Sequence, residues 1–543
     1  MRKLFYSLIV LLLTTATVSA QTPHIEKSEA FDEPDNGYNK VLMMKNGNTL
    51  FFHFARKEGI EVNVFNKARK LTSTKEIESE LWDTRKMKNI TVAGLYEINN
   101  EAVLFIVVSE DREPTLYRMR FNSTTGGRLG ENELGSTGGK TRRFASLKEY
   151  NSIYVEKDPE TDNYAVIFFN GYASDPDEKI KVIHFDGTHK RLNVATYDAP
   201  DDNFKYLRFI GAVVDGANRL FIATYGSSSW TGRDGKVFVS SLKAGEKKWV
   251  NKSLAFSEDF KDTKSVMSYN HNDNSLQLLT LSYTTGEVAF FTGRGRTKYM
   301  SFLSSIDPET LELKSVKPLG GQKINEYAHT VLNTDLDYHG LPQQMIINKD
   351  NSTTILCEEI RLRAVTTRTQ HSTYTRYYTD LGGIGVSEIN SDGTEKSGYW
   401  IRKQQEADGL YEPLYISSRG KGRWSYLQGF ADHNSYLSYD YIYTDKNRYI
   451  IFNDDNANFD RDEDEKKRKT VRKVGKLNTF CYSLNGTGVN KSFLFGDPGD
   501  NDVSNSVHID ASDIDKATGT YCTIMVERDG KDRQAKMVWI KFE

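Results

Sequence analysis

The chain is short of cysteine and proline, and its charges almost cancel. It has 3 Cys and 11 Pro in 543 residues, and 72 basic against 74 acidic residues give a formal net charge of -2. So few cysteines exclude a disulfide-dense scaffold. Because 38% of the residues are apolar and glycine is not periodic, a disordered or collagen-like chain is also excluded.

Long apolar runs are absent except near the start of the chain. Arg2 and Lys3 precede an apolar run over residues 4–13, and small residues end at Ala20. This order is typical of a secretory signal peptide, and the run is too short to span a bilayer. We therefore expect a signal peptide at residues 1–20, a mature chain from Gln21 without a transmembrane segment, and export to the periplasm or the extracellular space or cell surface.

The three cysteines, Cys357, Cys481 and Cys522, lie far apart among alternating apolar residues. At most one disulfide could form, and we interpret the three as small buried core residues. No C-x-x-C motif occurs, which argues against a zinc ribbon and a thioredoxin-type site.

One unit recurs along the chain: an alternating strand, a turn of Asn, Asp or Gly, and a more apolar strand. Eight such second strands begin near Thr49, Ala102, Tyr164, Leu220, Leu276, Thr354, Tyr449 and Thr520. Most units continue into a third and a fourth strand, and a repeated four-stranded unit predicts a β-propeller. We expect an all-β fold with a single propeller over residues 21–543, with eight blades or else seven. The alternative is two β-sandwich domains.

The last unit ends after its third strand, at residues 535–542. An unpaired strand edge is prone to aggregation, so this blade needs a fourth strand from elsewhere. Residues 24–31 are the spare segment, and we expect them to complete the last blade and close the ring.

The connections between second and third strands are long in four consecutive units, at residues 227–236, 284–298, 361–383 and 457–477. Together they hold nine more basic than acidic residues, with aromatic residues between them. Insertions on one face of a repeat protein often form its binding face, and arginine with aromatics suits anionic ligands. The candidate ligand-binding residues are Trp230, Arg233, Arg294, Arg296, Arg363, Arg376 and Tyr377. The alternative interpretation is solvated hairpins whose charges keep strand edges soluble.

Catalytic and metal-binding motifs are missing. Asp460, Asp462 and Asp464 match the start of an EF-hand loop, but the glycine and the final glutamate of that motif are absent. A looser calcium site there stays open, and we expect no other metal and no cofactor. Glu358 and Glu359 end a second strand, and the tyrosine-rich residues 399–449 are interpreted as strand packing rather than a sugar platform.

These observations favour a non-enzymatic exported protein that binds an anionic glycan or an acidic envelope protein, and not nucleic acid. It would act as a monomer or within an envelope complex. The rival hypothesis is a polysaccharide-degrading hydrolase or lyase with its site at the central channel. A third is a structural subunit of an envelope complex.

The pair Ala20-Gln21, the Asn/Asp turns and the run Tyr449-Ile450-Ile451-Phe452-Asn453-Asp454 resemble exported, mostly uncharacterised propeller-like proteins of Bacteroidota. The similarity extends along the mature chain as a general texture. It implies export and a propeller-like fold, and it implies no catalytic residue.

Overall fold

The strands alternate with turns from one end of the chain to the other. The computed structural model describes residues 23–542 except 56–58, 83–88, 111–112, 139–150, 171–172, 174–178, 198–203, 205, 229–234, 257–262, 284–298, 370–371, 426–431, 445–446, 462–467, 486–487, 500–502 and 531. Within these residues the strands form eight antiparallel sheets.

The first strand, β1 (His24–Lys27), belongs to the last sheet. Sheet 1 contains β2 (Gly37–Met43), β3 (Thr49–Ala55), β4 (Gly59–Phe65) and β5 (Leu71–Ile77). Sheet 2 contains β6 (Ile90–Ile98), β7 (Glu101–Glu110), β8 (Glu113–Asn122) and β9 (Arg128–Ser136). Sheet 3 contains β10 (Asn151–Lys157), β11 (Tyr164–Asn170), β12 (Ile180–Phe185) and β13 (Arg191–Thr196). Sheet 4 contains β14 (Tyr206–Asp215), β15 (Arg219–Ser227), β16 (Lys236–Lys243) and β17 (Val250–Ser253).

The second half of the chain repeats this arrangement with additions. Sheet 5 contains β18 (Lys264–Asn270), β19 (Ser275–Tyr283), β20 (Tyr299–Ile306) and β21 (Leu313–Pro318). Sheet 6 contains β22 (Leu341–Ile347), β23 (Thr353–Arg368), β24 (Thr373–Ile389), β25 (Glu395–Ile401) and the short β26 (Gln405–Asp408). The two-residue β27 (Trp424–Ser425) pairs with β6 of sheet 2. Sheet 7 contains β28 (Asp440–Tyr443), β29 (Arg448–Asp455), β30 (Leu477–Asn485) and β31 (Gly488–Phe493). Sheet 8 contains β32 (Val503–Val507), β33 (Asp513–Asp515), β34 (Thr520–Asp529) and β35 (Asp532–Lys541) together with β1.

Helical structure is sparse in the described residues. Helix α1 (Gln322–Thr330) packs on β25, and helix α2 (Tyr415–Gly420) follows sheet 6. Two 3₁₀ turns occur at Asp432–Tyr436 and Asn456–Asn458. No helix among the described residues is both long enough and apolar enough to cross a bilayer.

Burial along each sheet explains the recurring sequence unit. Strand β3 is buried at every position, whereas the outer strand β5 is exposed or half-buried at all but its last residue. A second strand is covered on both faces by neighbouring sheets, so it is mostly apolar, whereas an outer strand meets solvent. The predicted eight four-stranded units are confirmed, and the alternative of two β-sandwiches is wrong.

Each sheet stacks on its neighbours through apolar clusters. Sheet 1 also packs against sheet 8, where Val41 and Phe51 lie in one cluster with Ile524 and Trp539. The N–H of Val41 donates to the Ala511 carbonyl at 2.8 Å. The first and last sheets are therefore in direct contact.

Strand β1 supplies the missing outer strand of sheet 8. It runs antiparallel to β35, with His24 opposite Lys541 and Lys27 opposite Val538. Beyond β1, Phe31 and Ala535 exchange two backbone hydrogen bonds of 2.9 Å. The strand pairing expected for residues 24–31 is thus present at both ends of that segment.

Residues 410–425 and 432–439, here called the central segment, lie in the middle of the molecule. Ser417 Oγ donates to the Gln343 carbonyl of sheet 6, and Lys421 Nζ donates to Glu156 of sheet 3. Trp424 pairs with β6 of sheet 2 and stacks on Tyr38 of sheet 1 with ring centroids 5.5 Å apart. Because it touches the first strands of four different sheets, this segment occupies the space that a central channel would need. Part of the tyrosine-rich stretch lies in this segment and not in a sheet, so the interpretation of the whole stretch as strand packing is corrected for that part.

Candidate functional site

A cavity of about 1260 Å³ opens beside sheet 6. Its wall includes the start of β22, the middle of β23 and β24, and Arg402 just beyond β25, with contributions from sheets 5 and 7. Second strands end and third strands begin at this face. The cavity therefore lies on the face that carries the long insertions, off the axis that the central segment fills.

Basic groups outnumber acidic groups in the cavity wall. The basic residues of the wall are Arg361, Arg363, Arg402, Lys403, Arg468 and Arg472. The acidic residues of the wall are Glu359, Asp380 and Glu406. Four of the six cations are paired with carboxylates, Arg363 and Arg472 within the wall and Lys403 and Arg468 with buried residues behind it. Arg361 and Arg402 have no ion pair among the described residues, so they are the cations that an anion in the cavity would meet.

Arg402 is the most unusual of these groups. It is only 7% exposed, and its Nε has no hydrogen-bond acceptor among the described residues. Its guanidinium lies over the Trp400 ring, 5.4 Å from the centroid, and the buried indole N–H of Trp400 also lacks an acceptor. A buried charge without a partner costs several kcal/mol. Both side chains line the cavity.

Close packing at glycines fits the aromatic side chains into this wall. A Cβ on Gly383 would lie 2.2 Å from Trp400 Nε1, and one on Gly385 would lie 2.4 Å from Tyr338 Cε1. The Tyr338 hydroxyl donates to the Gly383 carbonyl at 3.1 Å. Burial raises the pKa of Tyr338 well above its usual value, so its hydroxyl stays protonated. A larger residue at either glycine would displace the ring and change the cavity.

A break in strand register directs the Glu359 side chain towards Gly383. The pairing of β23 with β24 shifts between Glu358 and Ile360, so that two glycines oppose one glutamate. The Gly383 N–H donates to Glu359 Oε2 at 2.9 Å. Such bulges are frequent beside functional sites because they redirect a side chain.

Glu358, its neighbour in sequence, has a structural environment. Its carboxylate accepts from Lys403 Nζ at 2.6 Å and from the Tyr415 hydroxyl at 2.5 Å, and both charged side chains are completely buried. Burial lowers the pKa of Lys403, and the adjacent carboxylate opposes that shift. The Tyr415 hydrogen bond ties this buried ion pair of sheet 6 to the central segment.

Arg363 lies in the cavity wall as predicted, but its charge is already shared. Its Nε donates to both carboxylate oxygens of Asp380, at 3.0 and 2.9 Å, and its Nη2 donates to Glu406. Arg472 contacts the same Glu406 from sheet 7, at 3.3 Å. These carboxylates hold the pKa of Arg363 above its usual value, so it is a fixed cation. This network fixes the position of the Arg363 and Arg472 side chains in the wall, and it uses several of their hydrogen-bond donors.

The other predicted ligand-binding residues have different outcomes. Arg376 is exposed, with its guanidinium 5.9 Å from the Tyr374 ring centroid. Tyr377 lies on the opposite face of β24 from Arg376, so the structure does not bring it together with the arginines. Trp230, Arg233, Arg294 and Arg296 lie outside the described residues.

The described residues of insertion 361–383, which the sequence predicts to be a connection, continue the β23–β24 hairpin. Of the possible calcium ligands, Asp460 is described and Asp462 and Asp464 lie outside the described residues. Among the described residues, no group of three or more His, Cys, Asp or Glu side chains could hold a metal ion.

Sequence reasoning missed Arg402 and Trp400. Trp400 lies in the apolar end of β25, and the run Arg402-Lys403-Gln404 follows directly, on the face that carries the insertions. A charged run directly after a buried strand is a signal that could have drawn attention to them. Their lack of partners, however, depends on which sheets and segments surround them.

The chain matches no family model and no curated protein. Among solved structures, it is similar to the polysaccharide lyase Uly1, with 12% identity, a TM-score of 0.36, and coverage of 83% of this chain and 90% of that one. Prolyl oligopeptidase B from Galerina marginata is 8% identical with a TM-score of 0.38, and the match covers 91% of this chain and 56% of that one. Endo-1,5-alpha-L-arabinanase from Thermotoga petrophila is 9% identical with a TM-score of 0.24, covering 69% and 100%. Likenesses this low carry no argument about ligand or activity.

Proposed function

We propose that this protein is an exported binding protein that takes an anionic glycan into the cavity beside sheet 6. The observation that carries the proposal is Arg402, a largely buried guanidinium in the cavity wall whose Nε has no acceptor among the described residues. A sugar carboxylate or sulfate would supply that acceptor. Planar guanidinium groups bind such groups through paired, charge-assisted hydrogen bonds.

The cavity supports a glycan over an acidic peptide. Extended peptides commonly bind by adding a strand to a free sheet edge. Within the cavity β24 is paired on both sides, with β23 on one edge and with β25 and β26 on the other. The hydrogen-bond donors that the cavity wall offers are therefore side chains, which suit the acid groups and hydroxyls of a sugar. At about 1260 Å³, the cavity also exceeds the size that one small ligand requires.

The test is calorimetric titration with tetragalacturonate and with maltotetraose, a neutral oligosaccharide of equal length. We expect the acidic oligosaccharide alone to bind, and Arg402→Met to weaken it by roughly 10- to 100-fold, because a hydrogen bond to a charged group contributes about 1.5–3 kcal/mol. Arg191→Met, which removes an exposed arginine of β13, serves as the matched control.

Equal binding of both sugars, or unchanged affinity in Arg402→Met, would overturn the proposal. Binding of oligoglutamate with the same Arg402 dependence, and of no acidic sugar tested, would replace the glycan by an acidic peptide. A heparin-derived tetrasaccharide separates sulfate from carboxylate recognition.

A second candidate is a polysaccharide-degrading enzyme that uses the same cavity. The observation that favours it is His339, an exposed imidazole in the cavity wall, which also contains Glu359. An imidazole can move a proton near neutral pH. Incubation with polygalacturonate would then release shortened chains, and His339→Ala would abolish the release while Arg402-dependent binding persists. No shortening by the parent protein eliminates this candidate.

A further inference from the structure

The hairpin of sheet 6 extends well beyond the other strands of its sheet. Residues 360–368 of β23 pair with residues 373–381 of β24, and we call this extension the arm. Towards its tip the arm is exposed at nearly every position of both strands. It begins at the cavity wall, because Arg361, Arg363 and Asp380 belong to both.

Strand register divides the arm into two faces. Directly opposed residues of an antiparallel pair point to the same side. The pairs that share the cavity side are Arg361–Asp380, Arg363–Tyr378, Val365–Arg376 and Thr367–Tyr374. The opposite side carries Arg368–Thr373, Thr366–Thr375 and Ala364–Tyr377.

The cavity side of the arm is basic and aromatic out to its tip. From residue 360 to residue 379 the sequence contains four arginines and no acidic residue, and three of these arginines, Arg361, Arg363 and Arg376, lie on the cavity side. Arg376 lies between Tyr374 and Tyr378 on one strand face, and Tyr374 is 45% exposed. Arg363 is committed to Asp380 and Glu406, whereas no ion pair occupies Arg376 among the described residues. Exposed rings beside guanidinium groups suit sugar faces and acid groups.

The spacing of these groups is regular. Successive pairs on one face are about 7 Å apart along a strand, so the side from Arg361 to Thr367 is about 20 Å long. A short oligosaccharide can occupy the cavity alone. A longer chain leaving the cavity on this side would pass Arg376 and Tyr374.

We propose that the ligand is a linear anionic polysaccharide, one part of which lies in the cavity while the chain continues along the cavity side of the arm. This inference rests on the proposed function, since it assigns additional binding positions to the same site. It predicts that affinity depends on chain length, and that the dependence requires one side of the arm.

The experiment compares galacturonate oligomers of four and of about twelve units on three full-length proteins. The first is the parent, the second carries Arg376→Ala with Tyr374→Ala, and the third carries Arg368→Ala with Thr373→Ala on the opposite side. The third protein is a matched control because it also loses one exposed arginine of the same arm. Melting temperatures establish that all three are folded.

We expect the parent to bind the long chain at least ten times more tightly than the tetramer. The cavity-side variant should lose most of that difference, and the opposite-side variant should behave like the parent. Long chains also gain affinity statistically, through more binding registers, so the decisive comparison is between proteins on the same long chain.

An equal loss of affinity for the long chain in both variants would overturn the inference, because the loss would then reflect the overall positive charge of the arm and not one of its sides. A parent whose affinity does not rise with length would overturn it as well. If the tetramer binds through Arg402 in either case, the proposed function stands and only the arm inference fails. If neither oligomer binds the parent, the proposed function itself fails.

Discussion

Arg423 Nη2 donates to Glu156 Oε1 at 2.8 Å, although the two residues are 267 positions apart in the sequence. Lys421 Nζ contacts the other carboxylate oxygen, and the Glu156 side chain is only 8% exposed. Burial alone would raise the pKa of Glu156, but the two cations outweigh it and the pKa lies below its usual value. This carboxylate therefore anchors the central segment to sheet 3.

Replacing Glu156 by Gln should destabilise the protein by about 2–3 kcal/mol, because it leaves two largely buried cations without a counter-charge. Urea unfolding measures the change, and faster proteolysis within residues 410–439 would locate it. Glu160→Gln is the control, since that residue is 64% exposed on its side chain. Identical unfolding midpoints for all three proteins would contradict the anchoring role.

Glu33 should make the protein sensitive to acid. Burial raises its pKa, but hydrogen bonds from His508, Tyr436 and Arg533 outweigh this and lower the pKa from 4.5 to about 2. A depressed folded-state pKa contributes stability above pH 4.5, and that contribution is lost as the pH falls towards 2. The loss should reach up to ~3 kcal/mol.

Thermal unfolding between pH 2 and pH 6 tests this expectation. Glu33→Gln should flatten the dependence in that window, whereas Glu29→Gln, at an exposed position four residues earlier, should keep it. Parallel curves for Glu33→Gln and the parent would show that the carboxylate does not carry the effect.

Deleting residues 21–31 should lower the melting temperature and expose β35 as a free edge. Strand β1 and Phe31 form the hydrogen bonds along that edge. Each contributes a net ~1 kcal/mol against a typical total of roughly 5–15 kcal/mol. A deletion of residues 21–23, which keeps β1, is the control. A shortened protein that melts like the parent and stays monomeric at high concentration would refute this role of β1.

Replacing Arg402 by Met should leave the free energy of unfolding unchanged or raise it by about 1–4 kcal/mol. A buried charge without a partner is costly, and an apolar side chain of similar length removes that cost. A residue that lowers the free energy of unfolding without a structural benefit is the trade-off expected where the residue serves binding. A clear loss of stability in denaturant unfolding would instead indicate a structural role for the guanidinium.

All three cysteines should resist alkylation in the native protein at pH 8. They are free and buried, and burial raises the pKa of Cys357 and Cys481 to about 12 and that of Cys522 well above its usual value. Mass spectrometry should find no label natively and three labels in denaturant without reductant. Thr366→Cys on the exposed arm is a positive control that should react at once. Rapid native labelling of any of the three would contradict the burial.

The sequence alone determined the repeating part of the fold. Alternation in strands such as β4 and the Asn, Asp and Gly turns predicted eight sheets and buried cysteines, because these depend on local pattern. The missing fourth strand of the last unit predicted the pairing of β1 with that unit. The sequence also indicated the face that contains Arg363 and the cavity. It did not predict that Tyr377 and Arg376 lie on opposite faces, since it expected a connection where the strands continue and strand register divides the faces.

Only the tertiary structure decided which distant groups meet. The contact of Arg423 with Glu156 and the filling of the central space depend on how eight sheets are arranged around one segment, and no local pattern contains that information. The same is true of Arg402, whose sequence neighbours resemble those of any charged strand end. Its significance lies in the absence of an acceptor among the described residues around it, and that is a property of the packed molecule.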